Sequence, residues 1–428
     1  MKNYIITLIA FSTLGFTFAQ NTVQIIPNDN DSRVITTGLP FMLIAPDSRS
    51  AGMGDIGVAT SVDGFSQHWN PAKYAFSEAK SGIGVSFTPY LTRLVNDISL
   101  GYATYYNRLN QYSAVSASLK YFTLGEIVLT QDANDPGVAV KPNEFAVDVA
   151  YTLRLADQFS MAVGLRYLRS ALRIPGIGNN APVNPASTFG ADITGYYQGE
   201  EEAYNDFNGR WRMGFAIQNL GPKFKYDDGG DDTFQPTNLR LGAGFDFIFD
   251  EYSKLGVSAE VSKYLVPTPP IYGDRVVFTD TDGDGIFNED NGDFQTPEQE
   301  AESSGDPNNS SDDIIIAGQD NNVSFINGVF QSFGDAPGGF SEELREFTWA
   351  LGAEYLYQDS FALRAGYFNE ADDKGARKFF ALGAGFKYTT INIDLSYLFS
   401  ASKIQSPLEN TLRFSLTFNF GDGEYDEY

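Results

Sequence analysis

Large apolar side chains alternate with small or polar ones along most of the chain, in stretches of about ten residues that turn residues separate. In one such stretch Phe145, Val147 and Val149 fall on one face, whereas Ala146 and Asp148 fall on the other. Because successive side chains of a strand point to opposite faces, this period of two predicts β-strands and not helices.

Fourteen stretches show this alternation, and an even number of strands fits a closed antiparallel barrel with both ends on one side. The predicted strands are 82–91, 97–106, 112–124, 144–155, 159–172, 186–198, 210–220, 237–249, 254–265, 346–358, 360–370, 378–388, 390–400 and 411–420. The connections are short at 107–110, 156–158, 250–253 and 359 and long at 125–143, 173–185, 221–236 and 266–345. Short turns on one rim and long loops on the other are typical of outer-membrane barrels.

The side chains of the second face decide between a soluble barrel and a membrane barrel. In water the large apolar residues point inward, whereas in a bilayer they face lipid and the lumen can hold charge. Here the second face mixes small residues with Arg210, Arg212, Arg240, Asp246, Glu260, Asp394 and Arg413. Because pairing lowers the desolvation cost of such charges, they fit a crowded or wet lumen. The predicted fold class is all-β, a 14-stranded antiparallel transmembrane β-barrel, and the alternative is a secreted β-sandwich.

The amino-terminal residues have the order of a secretory signal. Lys2 precedes an apolar stretch from Tyr4 to Phe18, and small residues follow, so we predict a signal peptide over residues 1–19. The alternative is a buried amino-terminal strand. Residues 20–81 are then an amino-terminal extension, residues 82–420 the barrel and residues 421–428 an acidic carboxy-terminal tail.

Composition excludes several classes of function. The chain has 428 residues, with 29 Lys and Arg against 55 Asp and Glu, and a net charge of −26 argues against a nucleic-acid partner. With no cysteine, the chain has no cysteine-ligated zinc, disulfide scaffold or catalytic thiol. We interpret His68, the only histidine, as structural. The G-x-G-x-x-G match from Gly52 to Gly57 lacks a βαβ context, so we interpret it as a close-packed turn and predict no catalytic residue, no cofactor-binding residue and no enzymatic activity.

The strongest chemical motif lies in the longest connection. Residues 280–291 carry carboxylates at alternate positions and a glycine at the sixth, which allows a tight turn that presents oxygen atoms to Ca²⁺. Asn291 stands where an EF-hand has a bidentate glutamate, so Glu289 or Asp290 would have to substitute. The predicted calcium ligands are Asp280, Asp282, Asp284 and Asp290. The alternative is a solvated acidic loop.

The surroundings of this motif are strongly acidic. Residues 273–345 contain 17 Asp and Glu but only 2 Lys and Arg, so this segment must project away from an anionic membrane surface. Apolar islands at 314–316, 323–326 and 329–330 interrupt it. They indicate a partner-docking surface or a folded-back plug, and a loop ordered around calcium is the alternative.

Residues 49–75 resemble the amino-terminal hatch of the FadL-type transporter family. The residues that carry the resemblance are Gly52, Gly54, Trp69, Asn70 and Pro71. The resemblance implies a FadL-type barrel of fourteen strands with an amino-terminal hatch in its lumen, and the count above is the same.

Within that family, the chain is similar to the outer-membrane barrels of the type IX secretion system. This implies a barrel in outer-membrane lipid that binds the carboxy-terminal signal domain of secreted cargo at the translocon and passes it to an attachment complex with a PorU-type sortase. It also implies extracellular long loops and periplasmic termini. The alternatives are FadL-like uptake of hydrophobic small molecules, which needs an apolar pocket, and a general porin, which needs an open lumen.

Overall fold

Fourteen antiparallel strands close into a barrel in the computed structural model, which describes residues 22–27, 32–91, 97–130, 137–172, 185–226, 230–278, 294–295, 314–402 and 411–422. They are β1 (Ala79–Pro89), β2 (Ser99–Arg108), β3 (Ser113–Thr123), β4 (Asn143–Ala156), β5 (Phe159–Ala171), β6 (Ala186–Gln198), β7 (Asn208–Leu220), β8 (Asn238–Ile248), β9 (Ser253–Tyr264), β10 (Thr348–Tyr357), β11 (Phe361–Asn369), β12 (Lys378–Tyr388), β13 (Ile391–Ser400) and β14 (Leu412–Asp422). Each strand pairs with its neighbours in sequence, and β14 pairs with β1 to close the sheet. The predicted fold class and all fourteen predicted strands are confirmed.

Burial alternates along the strands as a membrane barrel requires. In β4, Asp148 is 5% exposed, whereas Val149 beside it is 52% exposed. The same alternation places Arg212 and Arg413 inward and buried, and Met213 and Phe414 outward. The large apolar side chains of the strands therefore form the outer surface of the barrel, as predicted, and this surface is stable only against lipid.

The two rims differ in the length of their connections. Turns such as 249–252 and 389–390 join strands at one rim, which we call the short-turn rim. Connections such as 124–142 and 265–347 join strands at the other, the long-connection rim. The predicted alternation of short and long connections is confirmed.

Beyond the barrel, the described residues form short elements only. The helices are the 3₁₀-helices Pro40–Leu43 and Pro71–Phe76 and the α-helices Ser48–Ala51, Ser66–Trp69, Phe325–Gln331 and Phe340–Arg345. Small strands lie at Ile127–Leu129, Val138–Val140 and Glu202–Ala203. Within the described part of the chain, no helix has the length and hydropathy of a membrane-spanning helix.

The described residues before 33 and those between 270 and 318 belong to a separate compact unit. Its described strands are Thr22–Pro27, Ile271–Phe278, Phe294–Gln295 and Ile314–Ala317, and the central strand Ile271–Phe278 pairs with the other three in antiparallel register. The predicted signal peptide and the predicted calcium ligands Asp280, Asp282, Asp284 and Asp290 lie outside the described residues.

Residues 33–78 run through the lumen, and we call them the hatch. At the long-connection rim, the guanidinium of Arg33 donates to Glu342, and the backbone N–H of Gly38 donates to the carbonyl of Phe234 at 2.9 Å. At the short-turn rim, Arg108 donates to the carbonyl of Ser77. The hatch therefore crosses the barrel once from rim to rim.

This crossing places the two ends of the barrel unit at opposite rims. Asp422 ends β14 at the short-turn rim, whereas Arg33 lies at the opposite rim. The two termini of the chain, for which a periplasmic position is predicted, lie outside the described residues. Fourteen strands return the chain to the rim where β1 begins, and the hatch adds one further passage.

Candidate functional site

Glycines hold the hatch against the barrel wall. A Cβ atom on Gly52 would lie 2.9 Å from the Cα atom of Gly383. Gly54 has a φ of +82°, and a Cβ atom on it would lie 3.0 Å from the backbone of Tyr367. On the wall, a Cβ atom on Gly366 would lie 2.0 Å from the backbone of Met53. The G-x-G-x-x-G segment is therefore a turn packed backbone to backbone, in agreement with its interpretation as a close-packed turn.

The Trp69-Asn70-Pro71 segment is fixed by hydrogen bonds within the lumen. The Nε1 atom of Trp69, a residue that is 1% exposed, donates to Oδ1 of Asp47 at 2.7 Å. The side chain of Asn70 donates to the carbonyls of Val58 and Gly195 at 2.9 Å, and so joins the hatch to β6. The carbonyl of Pro71 accepts from Thr152 on β4 at 2.9 Å.

A chain of buried charges also joins the hatch to the wall. Arg49 donates to both carboxylate oxygens of Glu354 on β10, at 2.9 and 2.7 Å, and to Asp63 of the hatch at 2.8 Å. Arg364 on β11 donates to the same Glu354 at 2.6 Å and to Asp394 at 2.7 Å. Two guanidinium groups thus pair with three carboxylates, and every member of the chain has at least one partner of opposite charge.

Two titratable side chains of the hatch, His68 and Lys73, are buried. Burial, aided by the charge of Lys120, lowers the pKa of His68 well below its ordinary value, so the ring is neutral at pH 7. Burial also lowers the pKa of Lys73 to about 8. Its ammonium donates to the carbonyl of Gly57 at 2.8 Å and to Oγ1 of Thr60 at 3.0 Å. These are the contacts of structural groups.

A cavity remains between the hatch and the long-connection rim. Its lining is mixed: Leu43, Trp69 and Phe368 are apolar, whereas Asp55, Asn238, Arg240, Glu346 and Arg377 are polar or charged. Pockets for hydrophobic small molecules are lined mostly by apolar side chains. The lining of this cavity is less apolar than that of such a pocket.

Two helices at the long-connection rim expose apolar side chains. Ile326 and Phe330, one helical turn apart, are 54% and 75% exposed, and Phe340 and Leu344, also one turn apart, are 77% and 55% exposed. Phe333 between the helices is exposed too. We call these five side chains the apolar face.

Charged side chains of the same segment are buried beneath the apolar face. Glu342, Glu343 and Glu346 are each less than 10% exposed. Lys263 pairs with Glu343 at 3.3 Å and also with Glu346, while Lys374 pairs with Glu342 at 2.6 Å and with Glu346 at 3.0 Å. Helix Phe340–Arg345 thus exposes its apolar side chains and buries its acidic ones, the reverse of a helix on the surface of a water-soluble protein.

Sequence reasoning found only part of this site. The islands at 323–326 and 329–330 contain Ile326 and Phe330. Phe340 and Leu344 were missed because the helix that carries them has six residues, too few for a helical period.

A closed barrel with a lipid-facing apolar surface and a charge-paired plug defines the class of this protein as a hatch-containing outer-membrane β-barrel. Residues 27–271 match the family of the type IX secretion system protein PorV. The match covers more than half of the sequence, and the chain belongs to the PorV family. It is therefore an outer-membrane component of the type IX secretion system.

Solved structures with a similar fold have little sequence in common with the chain. A FadL homologue of Pseudomonas aeruginosa is 12% identical, with a TM-score of 0.43, over 91% of this chain and 100% of that one. The toluene transporter TodX of Pseudomonas putida is 10% identical, with a TM-score of 0.43, over 92% and 100%. The toluene transporter TbuX of Ralstonia pickettii is 12% identical, with a TM-score of 0.41, over 87% and 98%. None of the curated proteins matches the chain.

Proposed function

We propose that this protein binds the carboxy-terminal signal domain of secreted cargo at the type IX translocon and carries it to the surface attachment complex that contains a PorU-type sortase. It acts as a non-catalytic carrier. Membership of the PorV family supports the association with the secretion system. The apolar face is the observation that carries the proposal of a docking site.

The exposure of the apolar face calls for a partner. Four large apolar side chains on two short helices and Phe333 between the helices are exposed, whereas Glu342, Glu343 and Glu346 of the same segment are buried. Full burial of one such side chain is worth about 1.5–3 kcal/mol, so a partner that covers the face gains several times that. Large exposed apolar side chains concentrated in one short segment are typical of a protein interaction site.

The proposed orientation places the long-connection rim outside the cell. Residues 273–345 carry 17 acidic and 2 basic residues, and such a segment is repelled by anionic lipid headgroups. In this orientation the apolar face lies where exported cargo emerges. The described start of the hatch is then extracellular, and the end of β14 is periplasmic.

The plugged lumen supports a carrier more than a channel. The hatch is joined to the wall by the Arg49–Glu354 pair and by the hydrogen bonds of Asn70. A conducting path would require these contacts to break together.

The experiment replaces the aromatic anchors of the apolar face in living cells. We expect the double variant Phe330→Ser, Phe340→Ser to retain several unrelated cargo proteins inside the cell and to lower their surface level by about tenfold, since interface anchors of this type carry most of a binding energy. Tyr252→Ser replaces an exposed aromatic side chain in a turn of the opposite rim; it is the control and should secrete normally.

Copurification identifies the step that is lost. The wild-type protein should bring down cargo and translocon from solubilised outer membranes, and the double variant should bring down less cargo. Normal secretion by the double variant, together with impaired uptake of a hydrophobic nutrient in a deletion strain, would overturn the proposal in favour of a transporter.

A further inference from the structure

The buried layer beneath the apolar face contains more acid than base. Its charged side chains are Asp335, Glu342, Glu343 and Glu346 against Arg33, Lys263 and Lys374. The layer therefore has one negative charge in excess when all groups are ionised. An excess charge is costly in a desolvated layer unless a cation or a proton joins it.

Three of these carboxylates converge on one point. One oxygen each of Asp335, Glu343 and Glu346 lies within 4.8 Å of the other two. Oxygen ligands of Ca²⁺ lie about 2.3–2.6 Å from the ion, so two ligands of one ion are separated by at most about 5 Å. The three oxygens are thus spaced as ligands of a single cation.

One carboxylate oxygen of Asp335 has no hydrogen-bond donor among the described residues. Asp335 is 1% exposed, and its Oδ2 atom accepts from the backbone N–H of Thr268 at 2.9 Å. Its Oδ1 atom is buried and has no hydrogen-bond partner among the residues that the structure describes. A buried carboxylate oxygen without a donor is strongly unfavourable, so this position calls for a positively charged group.

The neighbouring ammonium does not fill this position. Lys263 reaches Glu346 closely but lies 3.3 Å from Glu343, and its contacts do not include Asp335. Lys374 is engaged by Glu342 and Glu346. A small cation could therefore replace the longer contact of Lys263 and leave the other ion pairs in place.

We propose that Asp335, Glu343 and Glu346 bind a divalent cation, with Ca²⁺ as the ion that best suits a site of carboxylate oxygens. The ion would tie the turn at Asp335 to helix Phe340–Arg345 and so hold Phe340 and Leu344 outward. This site is distinct from the motif at 280–291 and does not depend on the nature of the cargo.

The test measures binding of Ca²⁺ alone to the purified full-length protein in detergent, after removal of metal with a chelator. We expect the wild type to bind Ca²⁺ with a Kd of about 0.1–1 mM, the range of extracellular sites. Asp335→Asn keeps the shape of the side chain but removes its charge, and should lose one bound ion per chain. Asp284→Asn, in the motif at 280–291, is the matched control and should retain that ion.

A second readout locates the ion. Ca²⁺ should slow proteolysis between residues 319 and 347 in the wild type and in Asp284→Asn, but not in Asp335→Asn. Equal Ca²⁺ binding and equal protection in Asp335→Asn, or no binding by the wild type at about 5 mM, would overturn the proposal. If Asp335→Asn does not fold, Glu343→Gln must show the same loss, and retention of the ion by that variant counts equally against it.

Discussion

Arg49 links two carboxylates that would repel each other in the lumen. Its guanidinium lies between Glu354 of the wall and Asp63 of the hatch, and burial of all three leaves little solvent to screen them. Burial by itself would raise the pKa of Asp63, but the charges of Arg49 and Lys73 hold that pKa below its ordinary value. Arg49 therefore contributes directly to docking of the hatch against the wall.

Arg49→Met should loosen the hatch. Removal of one partner from a buried ion pair costs about 3–5 kcal/mol because the other charges stay buried without compensation. We expect a lower midpoint of thermal unfolding in detergent and transient openings in planar bilayer recordings. Arg210→Met, which removes an exposed 3.4 Å pair with Glu201, should match the wild type in both measurements. Equal behaviour of the two variants would contradict a docking role.

The buried ammonium of Lys73 should make the free energy of unfolding depend on pH. Its pKa is about 8 in the folded protein against 10.5 ordinarily, so the cost of the buried ammonium is fully present below pH 8. It is lost as pH rises through that value, because the unfolded chain still binds the proton. Between about pH 7.5 and about pH 9.5 the free energy of unfolding should therefore rise by about 2 kcal/mol from this group.

The measurement compares thermal unfolding midpoints of the wild type and Lys73→Met at both pH values. The difference between the two proteins should shrink or reverse at the higher pH. A difference that is independent of pH would show that Lys73 already binds its proton normally.

Among the elements, β11 depends on a glycine for its contact with the hatch. A Cβ atom on Gly366 would overlap the backbone of Met53, whereas a Cβ atom on Gly101 in β2 has open space around it. Gly366→Ala should therefore cost about 1–3 kcal/mol through overpacking, and Gly101→Ala should be nearly neutral. Protease sensitivity of the hatch checks this, and equal sensitivity of the two variants would refute it.

The elements also show how far the sequence could predict this structure. Strands such as β4 were predictable because each alternation of apolar and polar residues spans ten or more positions. Helices Ser48–Ala51 and Ser66–Trp69 have four residues each and form where wall contacts require them. Tertiary contacts stabilise these helices, for example the hydrogen bond from the N–H of Ser48 to Ser415 on β14. A periodic pattern in the local sequence therefore does not predict them.

At the scale of the whole molecule, the bilayer determines that the outer surface of the barrel is apolar. Leu165, on β5, is 63% exposed and faces lipid. Leu165→Arg should cost about 2–4 kcal/mol near the centre of the bilayer and reduce the amount of folded barrel. Tyr252→Arg in a short turn should fold normally. Heat modifiability in gel electrophoresis of outer membranes measures the difference, and equal folding of both variants would contradict the assignment of the lipid face.

The direction of each barrel face followed from the sequence, but the path of the hatch did not. Residues 33–78 cross the lumen without the alternation that marks a wall strand, since most residues from 41 to 77 are buried whichever way their side chains point. The pattern of apolar positions therefore does not predict at which rim Arg33 lies.

This single passage constrains how the molecule is assembled. The seam between β1 and β14 joins residues far apart in sequence, and the thread it encloses precedes β1. Asn70 joins residues 33–78 to β6, and Arg49 joins them to β10. We therefore expect the barrel wall to form around residues 33–78 while they already lie inside it. Pairing of β14 with β1 then encloses this segment.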